Sequence, residues 1–345
     1  LTDLVVTNFN RNFTGVSATA AGVLRAQAPR YDLVLAGRPL PGCPAPVSRA
    51  EARRLSRNAP PGKPFVIWHV RRNTEMRAAL WARDVLRLPI RIVFTSAAQR
   101  RHSALPRWLI SRMDAVIATT ERAGSFVPNL RAVVPHGVDC AAFVPATDRA
   151  QAWAATGHPG ARGIATIGRI RPEKGTDRFI EAMLQLLPER PDLTALVLGR
   201  ASQGDAAFLQ GLKDRVAAAG LTRQILFPGE IAPEALPALV RSLSAVVQLP
   251  RYEGYGMAPL EGMASGVPFV ATDAGYYREF SQDGTCGIIA QTAGEAAAAL
   301  AALLGDPARH GAMARAARQA ATTRFSVEAE ADGIGAVYDA LWSGG

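Results

Sequence analysis

Two glutamates, Glu253 and Glu261, stand with seven residues between them in the stretch YEGYGMAPLEGMASG, residues 252–266. Glycines occupy positions 254, 256, 262 and 266 of the same stretch. Glycine lets backbone N–H groups approach a ligand closely. A helix beginning near Met257 would aim its positive end at the same place, which suits a phosphate. Carboxylates accept hydrogen bonds from sugar hydroxyls, often two at once. One acid could hold a hexose and the other a ribose, and a nucleotide diphospho-sugar carries all three groups. A second stretch, IGRIRPEKGTDRFIEA at 167–182, brackets a turn with Arg169 and Lys174. Two cations at a strand tip can neutralise a departing diphosphate. Taken singly, these residues also suit a helix-capping acid, a solvated acid and an exposed basic turn.

Elements that could position such groups recur along the chain. Apolar runs read as buried parallel strands that end in polar or glycine turns: DLVVTNF, YDLVLAG, PFVIWHV, IRIVFTS, AVIATT and AVVPHG in the first half. GIATIGRI, TALVLGR, QILFPGE, SAVVQLP and PFVATDAG follow in the second. Helical patterns such as SATAAGVLRAQA, NTEMRAALWARDVL and GTDRFIEAMLQLL fall between them, which is βαβ architecture. Residues 39–64 read as a Pro-rich loop with a short basic helix inside. Residues 141–162 break the rhythm and read as a linker with a short helix. The alanine-rich segment 293–321 and the last segment, SVEAEADGIGAVYDALW, read as helices. Glu328, Glu330 and Asp332 are expected on the solvated face of that last helix. Two doubly wound α/β domains in series follow, residues 1–145 and 146–325, with the helix at about 326–345 able to pack back on the first. Ligands in such sheets bind at strand carboxyl ends where strand order reverses.

Length and composition fit this reading. The chain has 345 residues, 48% of them hydrophobic, enough for two cores and against disorder. No apolar run approaches the roughly 20 residues of a membrane span. LTDLVVTNFN lacks a basic stretch followed by an apolar one, so no signal peptide is expected. Cys43, Cys140 and Cys286 have no paired spacing and read as free thiols in a reducing compartment. The net charge of +10 is uneven: residues 1–145 hold 21 Lys and Arg against 8 Asp and Glu, whereas 146–345 hold 18 against 21. A half at +13, nearly all of it arginine, suggests an anionic partner. A nucleic acid is not the expected one, since zinc spacing, an RNP-like aromatic strand and heptads are all lacking.

GRIRPEKG, EGYGMAPLEGMASGVPFVATDAG and VPHGVD together resemble the large family of retaining glycosyltransferases with the GT-B fold, and the likeness runs over nearly the whole chain. The resemblance implies two Rossmann-like domains facing across a cleft that closes during turnover. It implies that Glu253 binds the donor sugar's hydroxyls, that Glu261 binds the nucleotide ribose, and that Arg169 and Lys174 hold the diphosphate. The donor set it implies also includes Gly15, Gly168, Gly254, Tyr255, Gly256 and Met257. Thr14-Gly15-Val16 would come close to the diphosphate, His69 would lie by the reacting sugar, and Glu279 resembles the acid of the family's Gly-x-x-Glu turn. The catalytic set is thus Arg169, Lys174, Glu253 and His69. The chain departs from the family in LPRYEG before the first glutamate, in His136 where Asn is common, and in a single glycine at the first turn.

Within the family, WHVRRNTEM and RIVFTSAAQRRHSALPRWLISRMDAVIATTERAGSFV are most similar to bacterial lipopolysaccharide-core mannosyltransferases. That implies GDP-mannose as donor and co-substrate, with no further cofactor, and an anionic acceptor of the Kdo–lipid A type. Arg71, Arg72, Arg100, Arg101 and His102, with Arg107 beside them, are the acceptor candidates, and a peripheral site on the anionic inner face of the cytoplasmic membrane follows. No Asp-x-Asp occurs, so no metal is expected. The alternatives are a UDP-sugar donor or another acceptor, and a non-catalytic sugar-nucleotide or polyanion binder on the same scaffold.

Overall fold

The computed structural model describes residues 2–11 and 15–344 and divides into two compact units, 1–137 with 325–345, and 138–324. The first unit holds β1 (Leu4–Asn8), β2 (Leu33–Gly37), β3 (Val66–Val70), β4 (Ile90–Ser96), β5 (Ala115–Ala118) and β6 (Leu130–Val133). The second holds β7 (Arg162–Ile167), β8 (Leu193–Leu198), β9 (Ile225–Gly229), β10 (Leu243–Gln248), β11 (Phe269–Ala271) and β12 (Gly287–Ile289). Every paired strand is parallel to its neighbour. Strands such as LVVTN, VIWHV and LTALVL are buried along their whole length because helices cover both faces, which is why they read as unbroken apolar runs.

Strand order is β2-β1-β3-β4-β5-β6 in the first sheet and β12-β11-β10-β7-β8-β9 in the second. The order reverses between β1 and β3 in one and between β7 and β10 in the other. Loops leaving those strand pairs diverge to opposite faces and open a crevice at the carboxyl edge. In the second unit the core gathers Phe179, Ile180, Met183, Val197 and Leu300 around the central strands. In the first, Leu4, Ile67 and Val93 pack against Ile334, Val337 and Tyr338 of the helix Val327–Trp342.

Two sequence expectations change here. The segment 141–162 is packed rather than a free linker: Trp153 is 1% exposed, and a Cβ on Gly163 would sit 2.0 Å from its ring. Glu330 is buried rather than solvated. It accepts from Gly137 N at 2.8 Å and pairs with His136 Nδ1 at 2.7 Å, which pins the VPHGVD turn to the last helix. No helix among the described residues is long and apolar enough to cross a membrane.

Candidate functional site

In the second unit the predicted donor residues converge at the β7/β10 reversal. β7 ends at Ile167, and Gly168 follows with φ +147°; a Cβ on the neighbouring Gly199 would meet Gly168 O at 1.9 Å. Arg169 is exposed, with no acid partner among the described residues. The turn Pro172–Lys174 closes on Gly175, whose φ of +68° and whose contact with Leu249 O both demand glycine. That turn is stapled to the loop after β10. Arg251 N donates to Glu173 O at 2.9 Å, and the Arg251 guanidinium forks onto both Asp177 oxygens at 2.8 and 2.6 Å. Burial pushes the Asp177 carboxyl up, but Arg251 and nearby backbone N–H groups together hold it below the usual carboxylate range.

Because the two loops are tied, Lys174 Nζ lies 2.5 Å from Glu253 Oε2. The pair is only part-exposed, 25% and 17%. Glu253 Oε1 also accepts from Gly254 N at 3.0 Å. The next residues turn into the helix Met257–Ala264 through Gly256 at φ +103°, where a Cβ would overlap the Tyr277 ring at 2.0 Å. No side chain caps this helix, so its first N–H groups, with Met257 at the lead, face out of the turn. Gly275 lets the following loop close on Tyr255 O and the Glu253 side chain.

Glu261, one turn into that helix, retains some surface yet is closely surrounded by protein. Burial pushes its carboxyl up to about 7. No hydrogen bond reaches that carboxyl among the described residues. A hydroxyl pair that donated to it would supply the missing partners and favour its ionised form. The Tyr255 side chain is buried, stacked on Tyr276 with ring centroids 5.4 Å apart. Its ring therefore supports the loop rather than lining the crevice. Glu279 is exposed on the short helix Tyr277–Ser281.

In the first unit the outcome is mixed. Gly15 opens the helix Gly15–Gln27 and is exposed; Thr14 lies outside the described residues. His69 does not reach a crevice. Its ring is wholly buried, with Nδ1 2.5 Å from Tyr338 Oη and Nε2 2.7 Å from Thr95 Oγ1. Burial, with Arg71 nearby, pushes its pKa well below the ordinary value, so the neutral ring joins the last helix to the sheet. This corrects the catalytic role expected of it: a histidine inside a strand is indistinguishable in sequence from one at its tip.

Arg72 also has a different task. Its guanidinium donates to Asn8 Oδ1, Glu75 Oε1 and Ser17 Oγ at 3.1, 3.1 and 3.0 Å, tying the loop after β3 to β1 and the first helix. Arg71 is otherwise placed. Its Nη1 is buried without a hydrogen-bond partner, and burial lowers the guanidinium's pKa. Arg100 and Arg101 are exposed beyond β4, and His102 is part-buried with Nε2 3.5 Å from Ser96 Oγ. Burial and then Arg100 lower the His102 pKa.

Glu75 was not singled out in the sequence. It is fully buried and accepts from Thr7 Oγ1, Phe9 N, Arg71 N and Arg72 Nη1, all at 2.8–3.1 Å. The available signal was an acid in the first turn of NTEMRAAL, where a carboxylate can bond free N–H groups. Among the described residues no group of three or more His, Cys, Asp or Glu is placed to hold a metal ion.

Two parallel doubly wound sheets with a glycine-built crevice at the reversal of the second define the GT-B class. HepE of Anabaena, solved with UDP and glucose, has this fold: the TM-score is 0.83 over 99% of this chain and 100% of that one, at 16% identity, a likeness of fold alone. Residues 153–320 match the family model of glycosyl transferases group 1. The lipopolysaccharide core biosynthesis mannosyltransferase LpcC of Rhizobium leguminosarum bv. viciae is 41% identical over 343 residues, covering 98% of this chain and 96% of that protein. The enzyme of the same description, LpsB of Rhizobium meliloti (strain 1021), is 40% identical over 347 residues, covering 98% and 97%. The chain belongs to the group 1 glycosyltransferases and is an enzyme of that family.

Proposed function

We propose that the chain is a retaining mannosyltransferase that moves mannose from GDP-mannose to a lipopolysaccharide inner-core acceptor of the Kdo–lipid A type. The observation that carries this reading is the Lys174–Glu253 pair, set between Arg169 and the unpartnered Glu261 carboxyl at the β7/β10 reversal. The names of the two relatives supply the sugar and the acceptor class.

In this reading Glu261 accepts from the ribose hydroxyls and Glu253 from those of the mannose. Arg169, Lys174 and the N–H groups at Met257 face the diphosphate. Breaking the bond from the anomeric carbon to phosphate oxygen leaves its electron pair on the diphosphate, and these cations and dipoles stabilise that charge. The acceptor hydroxyl adds to the anomeric carbon on the face the diphosphate leaves. Its proton passes to a phosphate oxygen of the departing GDP, so no side chain need act as base. Lys174 is already paired with Glu253, so a diphosphate would share the ammonium with a carboxylate that orients the sugar. That coupling links leaving-group stabilisation to sugar position.

The basic first unit would receive the anionic acceptor and hold the enzyme against the anionic inner face of the cytoplasmic membrane as a peripheral protein. A thermal-shift panel of GDP, GDP-mannose, UDP, UDP-glucose and ADP tests the donor, since a ligand of the folded state raises its melting temperature. GDP and GDP-mannose alone should stabilise the protein. Stabilisation by the uridine compounds alone would overturn the donor, and no shift with any of them would overturn the transferase site.

A further inference from the structure

Three arginines that the proposed reaction does not use meet at one place in the first unit. Arg11, Arg38 and Arg49 line a cavity of about 350 Å³ beyond the carboxyl ends of β1 and β2, together with Phe9, Gly37 and Ser48. None of the three has an acid partner among the described residues. The frame that holds them is fixed. Gly37 has φ +113°, and a Cβ there would meet Asn8 O at 2.5 Å and the Phe9 ring at 2.6 Å, so only glycine closes this corner. Arg38 N donates to Asn8 O at 2.7 Å and Asn8 Nδ2 returns a bond to Arg38 O at 3.3 Å. The Arg49 guanidinium lies over the Phe9 ring, 3.9 Å from its centroid. Like charges gathered without acids repel one another, and a multivalent anion relieves that repulsion.

Arg49 also lines a second groove of about 570 Å³, shared with Thr74, Arg77, Trp81 and Trp108. This one is apolar at its far end. Trp81 is 44% exposed, and Trp108 and Leu105 are each 56% exposed. Trp81 begins a π-helical turn, Trp81–Val85, which continues the helix Asn73–Leu80 and leaves Val85 and Leu86 exposed as well. Exposed large apolar groups clustered beside arginines mark a surface built for a partner that is apolar at one end and anionic at the other.

We propose that these two cavities form one amphipathic site for a phosphorylated glycolipid. Arg11, Arg38 and Arg49 take its phosphate groups, and Trp81 and Trp108 take the start of its acyl chains. Arginine forks match phosphate bidentately, and tryptophan suits the boundary between head group and chain. The inference rests on the proposed acceptor class and deepens it. It places recognition of the lipid's phosphates at β1 and β2, away from Arg100, Arg101 and His102.

The test is a binding titration read by tryptophan fluorescence and therefore independent of turnover. The full-length protein is titrated with lipid A in neutral detergent micelles, with dephosphorylated lipid A in the same micelles, and with phosphatidylglycerol vesicles. The Arg38→Ala/Arg49→Ala variant should bind phosphorylated lipid A about tenfold or more weakly, the scale of losing hydrogen bonds to a charged group. It should bind the dephosphorylated lipid as the wild type does. Trp108→Phe should preserve most of the affinity and Trp108→Ala should not. GDP should stabilise all of these variants as it does the wild type, so a failed donor reading is seen separately. Equal affinity of wild type and the arginine variant for phosphorylated lipid A would overturn the inference. So would equal losses on vesicles and on lipid A, which would mark a non-specific anionic surface.

Discussion

The carboxyl edges of the two sheets have the same architecture, but one is charge-compensated and the other carries an excess of positive charge. In the second unit the charges are matched almost one for one: Lys174 with Glu253, Arg251 with Asp177 and Arg278 with Asp273. Among the described residues the exposed Arg169 cation and the Glu261 carboxyl stand apart from these pairs. In the first unit the buried acid Glu75 is consumed in holding Arg72, the Thr7 hydroxyl of β1 and two loop N–H groups. Arg11, Arg38 and Arg49 gather beyond β1 and β2, and Arg101 lies exposed beyond β4, none with an acid partner among the described residues. The difference teaches how one fold divides two tasks. A site that must stabilise charge developing at one atom needs fixed, compensated groups with few degrees of freedom. A surface that must collect a polyanion works by unscreened positive field and tolerates looser geometry.

The sharpest way to break this comparison is to remove the two cations of the second unit's site, one paired and one not. Arg169→Ala and Lys174→Ala should each lower kcat by about 10²-fold or more, the scale of one lost transition-state donor. Steady-state kinetics with donor and acceptor check this, and near-wild-type turnover in either would remove the leaving-group assignment. Because Lys174 and Glu253 touch, Lys174→Ala/Glu253→Gln should cost less than the product of the single losses, whereas Arg169→Ala/Glu253→Gln should come nearer to additivity.

The next test concerns scaffold. Glu75→Ala leaves a guanidinium and backbone donors buried without their acceptor, so urea unfolding should show a loss of about 2–4 kcal/mol. The nucleotide affinity of the molecules that remain folded should be unchanged.

Glu261 sharpens the contrast through pH. Its pKa of about 7 in the folded chain lies above the ordinary 4.5. The native state therefore holds the extra proton between those values, and stability falls as pH rises through that window. The penalty is absent below about 4.5 and complete above about 7. Glu261→Gln should accordingly gain in melting temperature over the wild type as pH is raised. In the proposed site the ribose hydroxyls would donate to the ionised carboxylate, so GDP affinity of the wild type should weaken as pH falls below about 7. That dependence should be lost in Glu261→Gln, as calorimetric titration at several pH values can show. The smallest effect expected is on salt dependence: added salt should weaken lipid A binding more than GDP binding, because exposed charges are screened more than buried pairs.

Much of this could be read in the sequence, and the exceptions have physical causes. Strands buried on both faces announce themselves as apolar runs, and all six of the first sheet and five of the second were legible. β12 was not, since Gly-Ile-Ile is short, begins with glycine and is only partly buried. Gly168 and Gly256 stood in the motifs of the candidate donor site, and their positive φ in the structure gives the physical reason for glycine there. His69, Arg72 and Glu330 misled because their partners Tyr338, Asn8 and His136 lie 64 to 269 positions away. Long-range hydrogen bonding converts a chemically suggestive side chain into a structural one, and no local pattern records it. Arg11, Arg38 and Arg49 contributed only to a count of charge until the fold gathered them.

The most direct measurement is transfer itself. Purified protein is incubated with GDP-mannose and Kdo–lipid A in detergent, and the lipid product is followed by mass spectrometry, with Lys174→Ala in parallel. The account predicts that the lipid gains one hexose with release of one GDP, and that Lys174→Ala slows this by about 10²-fold or more. A lipid left unchanged by GDP-mannose but extended from a UDP-sugar, or a Lys174→Ala variant as fast as the wild type, would contradict it.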